Sequence, residues 1–569
     1  MLTSNTDKNK NTNTKAKRDF RALIVYPNLP LMLVPGVAIG LFTRILKNQG
    51  YQVDMFETTH YDTDETNYSE TKINYSENRV RLLNVRKFDV KKDLNIELKQ
   101  DMLGDFRSKV LNFKPDIMLF SIVEDTFFQA LTMLDAVADL NTKHLLGGVF
   151  PTMAPEVAIQ TEGVNMIGLG EGEEAILKVS EAIRTNKRLD NIPSTWFKKP
   201  NGEIIRNPQA PLVELDNIVP DFSLFDESRF NRPMGGQVFR MIPAESYRGC
   251  PYSCTYCNSP SQRLFAKNTS QGNFLRRTRI QKLRDHLAEL QDNYAPEFFF
   301  FVDDSFLARP RAEIFDFCDM YEEFNLPFYF NTRAENTDVE VLKRLKEVNC
   351  FRMAFGIECG NEQYRQKMLR RKITNAEIID RFQVIAEGGI AFSLNAIIGF
   401  PGETRELVFD TINLIRSIHG YDALTSFIFT PYHGTALRKT AEANGWLDPN
   451  VVTVHNTSRS LLKMPPPYLS ADEIDGLIMT LPLYCYFPKS EWGNLKKAEI
   501  ADEKGLKIRK HYSDIYSKNF LNEHQDMEKT FFGEDFNNLA EKLRADFRSS
   551  PIRIADVELN KLMEPMVGH

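Results

Sequence analysis

The chain has 569 residues, more than one ordinary domain contains, so two or three domains are expected. Hydrophobic residues make up 42% and charged residues 26%, which is typical of a globular protein with substantial cores. A net charge of -6 excludes bulk electrostatic attraction to nucleic acid or anionic membranes. No run of about 18 apolar residues exists, so no membrane span is expected.

The first 18 residues are rich in Asn, Thr and Lys and lack the apolar segment of a secretory signal. We therefore expect residues 1–18 to form a disordered tail and the protein to be cytoplasmic. Seven cysteines are present, none of them before Cys250. Three lie within eight residues and the others are scattered, which indicates a reduced compartment with one local metal site rather than a disulfide framework.

Apolar runs and helical periodicity alternate along the first third of the chain. This alternation predicts a parallel sheet in a doubly wound, Rossmann-like α/β domain over residues 19–195. Ligands of such domains bind beyond the carboxyl ends of the strands. Residues 60–100 have no clear period and are expected to form an insertion or long loop. Strands are predicted at 20–26, 51–56, 115–123, 144–148 and 164–169, and helices at 37–48 and 127–140.

A weakly periodic stretch with scattered Pro and Gly, residues 196–240, is predicted to be a linker. After it the alternation resumes, which predicts a partial (β/α)6 TIM-like barrel over residues 241–450 with its chemistry at the carboxyl strand ends. Residues 451–569 are expected to form a mostly helical C-terminal domain. In the barrel, strands are predicted at 297–302, 328–331, 351–357, 391–398 and 424–429, and helices at 277–293, 312–323 and 338–347.

Cys250, Cys254 and Cys257 form a C-x3-C-x2-C motif in a predicted loop directly after a strand. Three thiolates on one loop can converge on one metal centre. A zinc ribbon needs a fourth ligand, usually in a second C-x2-C pair, and the sequence has none. A [4Fe-4S] cluster held by three cysteines leaves one iron open, and soft thiolates suit iron–sulfur. The alternatives are a structural zinc site or simply buried thiols.

With the aromatic Tyr256 before its third cysteine, this motif resembles that of the radical S-adenosylmethionine (SAM) superfamily. The resemblance implies that the open iron binds the amino and carboxylate groups of SAM. One electron from the cluster then cleaves SAM to methionine and a 5'-deoxyadenosyl radical, which abstracts a hydrogen atom. The resemblance also implies an electron donor such as flavodoxin or ferredoxin as a partner.

Later motifs continue the resemblance in the family's order: an acidic strand end, a GIESG-like strand, a GFPGET turn and a PxPGT-like turn at Thr430–Thr435. For single residues, turn glycines and solvated carboxylates remain alternatives, and for Arg333 an internal ion pair, for example with Glu358. The implied SAM-binding residues are Tyr256, Asp303, Asp304, Arg333, Glu358, Ser393, Asn395, Gly399, Pro401 and Gly402.

Pro35-Gly36 before a helix, the turn Gly147-Gly148-Val149-Phe150-Pro151-Thr152 and the run Gly168-Leu169-Gly170-Glu171-Gly172-Glu173 resemble the cobalamin-binding domain that is fused to many radical SAM enzymes. The domain departs from one pattern, because no Asp-x-His-x-x-Gly motif follows the first strand, and His60 and His144 lack the partners of such a motif. Cobalamin is still implied, with its cobalt five-coordinate or water-ligated, and the apolar loop 29–34 either covers a corrin face or is plain core. The implied cobalamin-binding residues are Pro35, Gly36, Ser121, Gly147, Gly148, Pro151, Thr152, Gly170 and Glu171.

Together these patterns predict a cobalamin-dependent radical SAM C-methyltransferase that acts on an unactivated carbon of a small-molecule substrate. One alternative keeps the cofactors but catalyses cyclisation, oxidation or rearrangement. Another is a non-catalytic metal- or cobalamin-binding regulatory module. Methylthiotransferases resemble this arrangement but need three N-terminal cysteines for a second cluster, and they are excluded because residues 1–249 contain no cysteine. A nucleic-acid substrate is not expected without a basic domain.

Overall fold

The computed structural model describes residues 14–63, 82–85, 90–234, 237–454, 459–521 and 556–566. Four predicted segments fall partly outside this range: the tail (1–13), the 60–100 insertion (64–81 and 86–89), the linker (235–236) and the C-terminal segment (455–458, 522–555 and 567–569). Among the described residues, no helix combines the length and the apolarity that crossing a lipid bilayer requires.

The N-terminal domain is a seven-stranded sheet with the order β2-β1-β3-β4-β5-β6-β7. The first five strands in this order are parallel, and the last two extend the sheet as antiparallel partners. Strands β1, β3 and β5 are buried runs of apolar residues, as expected where helices cover both faces. The strands are β1 Arg21–Tyr26, β2 Gln52–Glu57, β3 Ile117–Ser121, β4 Lys143–Gly147, β5 Met166–Gly168, β6 Thr195–Lys198 and β7 Ile204–Arg206.

Helices pack around this sheet and agree with the predicted pattern of alternation. The segment predicted as one helix over 127–140 is a helix followed by a 3-10 turn, Ala138–Leu140. The α-helices of this region are Val37–Asn48, Val90–Leu94, Met102–Phe113, Phe127–Asp135, Val149–Met153, Pro155–Gln160 and Glu173–Arg184.

The second domain is a partial barrel with the strand order β16-β15-β14-β13-β12-β9-β8. Six strands are parallel, and β8 pairs antiparallel with β9 at one edge. The strands are β8 Asn231–Met234, β9 Gln237–Ala244, β12 Phe298–Phe301, β13 Phe328–Thr332, β14 Cys350–Glu358, β15 Ala391–Ile398 and β16 Ala423–Ile428, with the short pair β10 Tyr247–Arg248 and β11 Arg276–Arg277 beside them.

The predicted 196–240 linker is shorter in the structure, because both sheets extend into it. Strands β6 and β7 belong to the first sheet, and β8 with the start of β9 belongs to the second. These short strands are stabilised by hydrogen bonds to neighbours that are distant in sequence, and such pairing leaves little local periodicity to detect.

Barrel helices alternate with the strands and cover the outer face of the sheet. Thr374 begins one of them with a capping box, in which its hydroxyl and the Glu377 carboxylate satisfy each other's backbone N–H groups. These helices are Ser259–Asn268, Ile280–Tyr294, Arg311–Tyr321, Val339–Glu347, Glu362–Lys367, Asn375–Glu387, Arg405–Arg416 and Ala436–Ala443.

The described part of the C-terminal segment is helical and shares one continuous apolar core with the barrel. Ile474 packs on Gly399 and Leu562 on Gly402, so this segment covers a barrel turn. Its helices are Ala471–Tyr486, Trp492–Ala498, Glu503–Tyr516 and Asp556–Met563.

Asn84, within the predicted 60–100 insertion, lies against the open edge of the barrel. Its side-chain amide donates to the Ser426 carbonyl over 2.9 Å and accepts from the Ser426 N–H over 2.9 Å. Because β16 is the edge strand, these groups have no strand partner. One side chain of the N-terminal region therefore takes the place of a neighbouring strand.

Candidate functional site

An open cleft lies between the two domains. One wall consists of the carboxyl ends of β3, β4 and β5 and the loops that follow them. The other wall consists of the strand that leads into the cysteine motif, the end of β12 and the helix after the motif. Polar residues that line it include Ser121, Thr152, Glu171, Glu173, Glu245, Tyr247, Arg248, Gln262, Gln271 and Asp304.

The cysteine motif forms a compact loop between β10 and the helix Ser259–Asn268. The Cys257 N–H donates to the Cys254 carbonyl over 3.3 Å, and the Ser259 N–H donates to the Cys257 thiol sulfur over 3.4 Å. The Arg263 guanidinium donates to the Cys250 carbonyl over 2.9 Å. The helix after the motif thus fixes both ends of the loop.

The chemistry of this donor set fits an iron–sulfur cluster. Burial raises the pKa of the Cys250 thiol to about 11 and that of the Cys257 thiol to about 12, so metal binding must release their protons. Within the described ranges, no three His, Cys, Asp or Glu side chains converge on a position for a single metal ion. Thiolates that hold a cubane each bind a different iron, and so they stand further apart than the ligands of one ion.

Arg333 lies directly beside the cysteine loop, at the end of β13. Its guanidinium is 3.6 Å from the Cys254 sulfur and 3.7 Å from the centre of the Tyr252 ring. Its ion-pair partner is Glu335. The suggested pairing with Glu358 is therefore not what the structure shows, because the loop after β13 supplies a nearer carboxylate.

Glu358 is buried at the end of β14 and pairs with Arg371, a residue that sequence reasoning missed. The two side chains are 2.9 Å apart, and Arg371 also donates to the Tyr256 hydroxyl over 3.2 Å. Burial raises the pKa of Glu358, although Arg371 opposes this shift. Glu358 has a φ of 62°, in the left-handed region, so the chain bends where the strand meets this site. Arg371 follows a short helix and shows no local pattern that distinguishes it.

Asp303 and Asp304 have different surroundings. Asp303 is buried and accepts hydrogen bonds from the Ser246 N–H, the Ser246 hydroxyl and the Tyr247 N–H, and it pairs with Arg309 over 2.6 Å. Its oxygens are thus engaged by protein groups, and it anchors the strand before the cysteine motif.

Asp304 lines the cleft and retains accessible surface there. It accepts a hydrogen bond from the Ser259 hydroxyl over 2.8 Å. Desolvation by the surrounding walls raises its pKa. Of the two predicted aspartates, Asp304 is the one whose position allows contact with a ligand.

Buried polar atoms without partners among the described residues lie at the ends of β12, β13 and β14. SAM carries a carboxylate, an ammonium group, hydroxyls and an adenine, which offer both donors and acceptors for such atoms. The residues present therefore fit this cosubstrate. The atoms are Ser305 Oγ, Arg333 Nε, Glu335 Oε2, Asn336 Nδ2 and Arg371 Nε.

The C-terminal segment buries the turn Gly399–Gly402, and the Phe400 ring of this turn packs 5.8 Å from the Tyr256 ring of the cysteine motif. The Gly399 and Phe400 N–H groups donate to Glu403, and the Pro401 carbonyl accepts from the Tyr364 hydroxyl over 2.7 Å. The structure thus makes Gly399, Pro401 and Gly402 a packed turn. Ser393 and Asn395 lie at alternate positions of β15 and share one face of the barrel sheet.

Five glycines lie in the N-terminal wall of the cleft: Gly147, Gly148, Gly168, Gly170 and Gly172. A methyl group placed on Gly147 would find only the Phe120 carbonyl, 3.8 Å away, so this strand end faces open space. The Thr152 hydroxyl donates to Gly148 and accepts from the Gly170 N–H over 2.9 Å, which ties two loops of the wall together. Six of the nine residues that the resemblance assigned to cobalamin line the cleft: Ser121, Gly147, Gly148, Thr152, Gly170 and Glu171.

Pro35, Gly36 and Pro151 are not among the residues that line the cleft. A methyl group on Gly36 would approach the Tyr26 hydroxyl at 3.2 Å, so close packing of the helix start accounts for this glycine. A wide cleft with bare backbone on one side fits a large, flat ligand such as a corrin ring.

Residues 245–415 match the family model of the radical SAM superfamily. The uncharacterized methyltransferase PH0819 of Pyrococcus horikoshii is 26% identical over 378 residues, which are 63% of this chain and 79% of the relative.

Two solved structures share the fold. The cobalamin-dependent SAM radical enzyme OxsB, with aqua-cobalamin and SAM bound, has a TM-score of 0.60 at 13% identity and covers 96% of this chain and 78% of its own. The radical SAM methyltransferase TsrM from Kitasatospora setae, with cobalamin and a [4Fe-4S] cluster bound, has a TM-score of 0.53 at 13% identity and covers 93% and 99%. The cysteine loop, the barrel and the matched family model agree that residues 245–415 form a radical SAM domain, which implies a [4Fe-4S] cluster and SAM as cofactors.

Proposed function

We propose that this enzyme is a cobalamin-dependent radical SAM methyltransferase that methylates an unactivated carbon of a small molecule. The observation that carries the proposal is the shared cleft, which brings the glycine-containing strand ends of the N-terminal domain opposite the strand that leads into the cysteine motif and the helix that follows the motif. A methyl donor and a radical generator can act on one substrate only if both face the same space.

The relatives support the same reaction class. PH0819 is named a methyltransferase, TsrM is a radical SAM methyltransferase solved with cobalamin, and OxsB was solved with aqua-cobalamin. The N-terminal sheet has the order β2-β1-β3-β4-β5, and in sheets of this order ligands bind at the carboxyl strand ends, on the side where this cleft lies.

In this proposal the cofactors supply the radical and the methyl group, and the chain holds them in place. Cys250, Cys254 and Cys257 bind three irons. Arg333 and Arg371 offer guanidinium groups beside the cysteine loop to the SAM carboxylate, while Asp304 offers an acceptor to its ammonium group. The glycine strand ends of the N-terminal wall let the corrin approach the backbone closely.

We also propose a cytoplasmic location and an electron donor such as flavodoxin or ferredoxin. All seven cysteines are free, which suits a reducing compartment. The iron–sulfur cluster needs one electron from outside the chain for each cleavage of SAM, and a small redox protein is the usual source of such electrons.

Product analysis tests the proposed reaction. Anaerobically reconstituted enzyme with hydroxocobalamin, SAM, a reductant and candidate small molecules should form both 5'-deoxyadenosine and S-adenosylhomocysteine. Both products are expected because one SAM is cleaved to the radical and a second remethylates the cobalamin. Formation of 5'-deoxyadenosine alone would point instead to cyclisation, oxidation or rearrangement, and absence of both products would exclude radical catalysis.

A further inference from the structure

Arg248 lies two residues before Cys250 and joins the two domains through three carboxylates. Its guanidinium donates to Glu171 over 2.9 Å, to Glu173 over 2.9 Å and to Glu245 over 2.8 Å. Glu171 and Glu173 belong to the N-terminal domain, and Glu245 precedes β10 in the barrel domain. Only 17% of the Arg248 side chain is exposed, so these contacts form largely away from solvent, where charged hydrogen bonds are strong.

Glu171 holds the other end of this connection in a fixed position. It accepts from the Val213 N–H over 3.0 Å and from the Arg276 guanidinium over 3.1 Å. Burial opposes its ionisation, but Arg276 and Arg248 outweigh burial and hold the pKa of Glu171 below its usual value. Glu171 also lines the cleft, between Gly170 and Gly172. A ligand that contacts this loop therefore contacts the residue that anchors Arg248.

The link from Arg248 to the cysteine loop is short and tightly packed. Gly249 has a φ of 94°, and a methyl group placed on it would lie 2.8 Å from the Phe274 ring and 3.0 Å from the Phe274 carbonyl. The backbone between Arg248 and Cys250 is therefore held closely against Phe274. The guanidinium is planar and is hydrogen-bonded to carboxylates on several sides, so a displacement of these carboxylates also displaces Arg248.

We propose that Arg248 is a positioning residue that couples occupancy of the cleft to the geometry of the cysteine loop. The inference rests on the proposed function, because it takes the ligand of the cleft to be a corrinoid. Coupling of this kind is reciprocal, so SAM at the iron–sulfur cluster must change corrinoid affinity by the same factor as the corrinoid changes SAM affinity.

Hydroxocobalamin titrations of the reconstituted holoenzyme test this coupling. They are followed by absorbance, with and without SAM and without reductant, so that SAM is not cleaved. In the wild type, SAM should tighten hydroxocobalamin binding by about fivefold or more. In Arg248→Gln the ratio of the two affinities should fall to near one while hydroxocobalamin still binds. Arg248→Lys should be intermediate, because one ammonium group cannot hold three carboxylates.

Arg276→Gln is the matched control. Arg276 lies opposite Arg248 on β11 and also bonds Glu171, but it is not part of the chain that leads into Cys250. This variant should lower the ratio less than Arg248→Gln does, because Arg248 keeps all three of its carboxylate partners. Glu171→Gln, which retains the bonds of Arg248 to Glu173 and Glu245, should lower the ratio without abolishing it, and it replaces Arg248→Gln if that variant fails to assemble its iron–sulfur cluster.

A ratio of one in the wild type, an unchanged ratio in Arg248→Gln, or an equal loss in Arg276→Gln would each overturn the assignment. Failure of the wild type to bind hydroxocobalamin under either condition is a separate result. It would refute the proposed function, and the coupling with it, whereas the three other outcomes leave the proposed function intact.

Discussion

The two walls of the cleft are built in opposite ways. The N-terminal wall offers bare glycine backbone at the ends of parallel strands, as at Gly147 and Gly168. The barrel wall offers charged groups that are paired with one another, as Arg248 is with Glu245, and the cysteine loop lies next to it in the chain. The first wall can select a ligand by shape, and the second by charge and by metal affinity.

The two walls should therefore respond to different kinds of substitution. On the barrel side, removal of one group leaves a partner or a metal without its ligand. On the N-terminal wall, addition of a single methyl group is the more informative change, because the glycines there have no side chain and a methyl group would occupy space that a ligand needs.

Cys254→Ala should eliminate the iron–sulfur cluster. Two thiolates cannot hold the cubane, so iron content and 5'-deoxyadenosine formation should each fall by more than about 100-fold. Iron assay and chromatography of the products measure both. Cys318→Ala is the matched control: this buried thiol lies on the helix Arg311–Tyr321, and its loss should leave the iron content unchanged. Equal iron in the two variants would remove the basis of the assigned site.

Arg371→Gln should lower the free energy of unfolding by about 3–5 kcal/mol, because the Glu358 carboxylate would stay buried without its cation. Urea unfolding of the reconstituted protein measures this loss. The double variant Glu358→Gln with Arg371→Gln removes both charges and should recover a large part of it. A double variant no more stable than Arg371→Gln alone would show that the ion pair is not the cause.

Gly148→Ala and Gly147→Ala should separate folding from ligand binding. Gly148 has a φ of 120°, and an added methyl group would lie 2.1 Å from the Ile122 carbonyl, so this variant should lose about 3 kcal/mol of stability or more. At Gly147 the methyl group points into open space, so stability should change by less than about 0.5 kcal/mol.

Hydroxocobalamin affinity completes this comparison. In Gly147→Ala it should fall by about tenfold, because the methyl group occupies space that the ligand needs. Thermal unfolding and absorbance titration measure the two effects. Wild-type affinity in Gly147→Ala would mean that the corrin does not approach this strand end.

Glu403→Gln should flatten the dependence of stability on pH. Burial raises the pKa of Glu403 to about 8, despite two backbone N–H donors. In the unfolded chain a glutamate loses its proton near pH 4.3, so the folded state binds more protons between that pH and 8. The stability contribution of Glu403 is thus complete below about pH 4.3 and is lost as the pH rises toward 8.

Urea unfolding of wild type and variant at pH 5.5 and 8 checks this sign. The wild type should lose more stability between the two values than Glu403→Gln, which stays neutral throughout. Asp125 has a raised pKa of about 7 through burial and adds to the slope in both proteins, so only the difference between them reports on Glu403. Parallel slopes would assign the pH dependence to other groups.

Much of the fold could be predicted from the sequence, because strands such as β15 and helices such as Val37–Asn48 bury apolar residues at regular spacing. The short strands of the predicted linker could not, since their hydrogen bonds come from distant neighbours. Asn84 is a similar case, because no local pattern shows that an asparagine will pair with the edge of another domain.

The chemistry of the cysteine motif follows from the sequence alone, because the spacing of three thiols on one loop is a local property. Which residues of the motifs face the cleft depends on the tertiary fold. Asp303 and Asp304 are adjacent, yet Asp303 is enclosed by Ser246 and Arg309 and Asp304 lines the cleft. Gly147 and Gly399 both follow a run of strand residues, yet Gly147 borders the cleft and Gly399 lies under Ile474. The reason is physical: the exposure of a residue depends on which distant elements pack against it, and residue type and spacing do not carry that information.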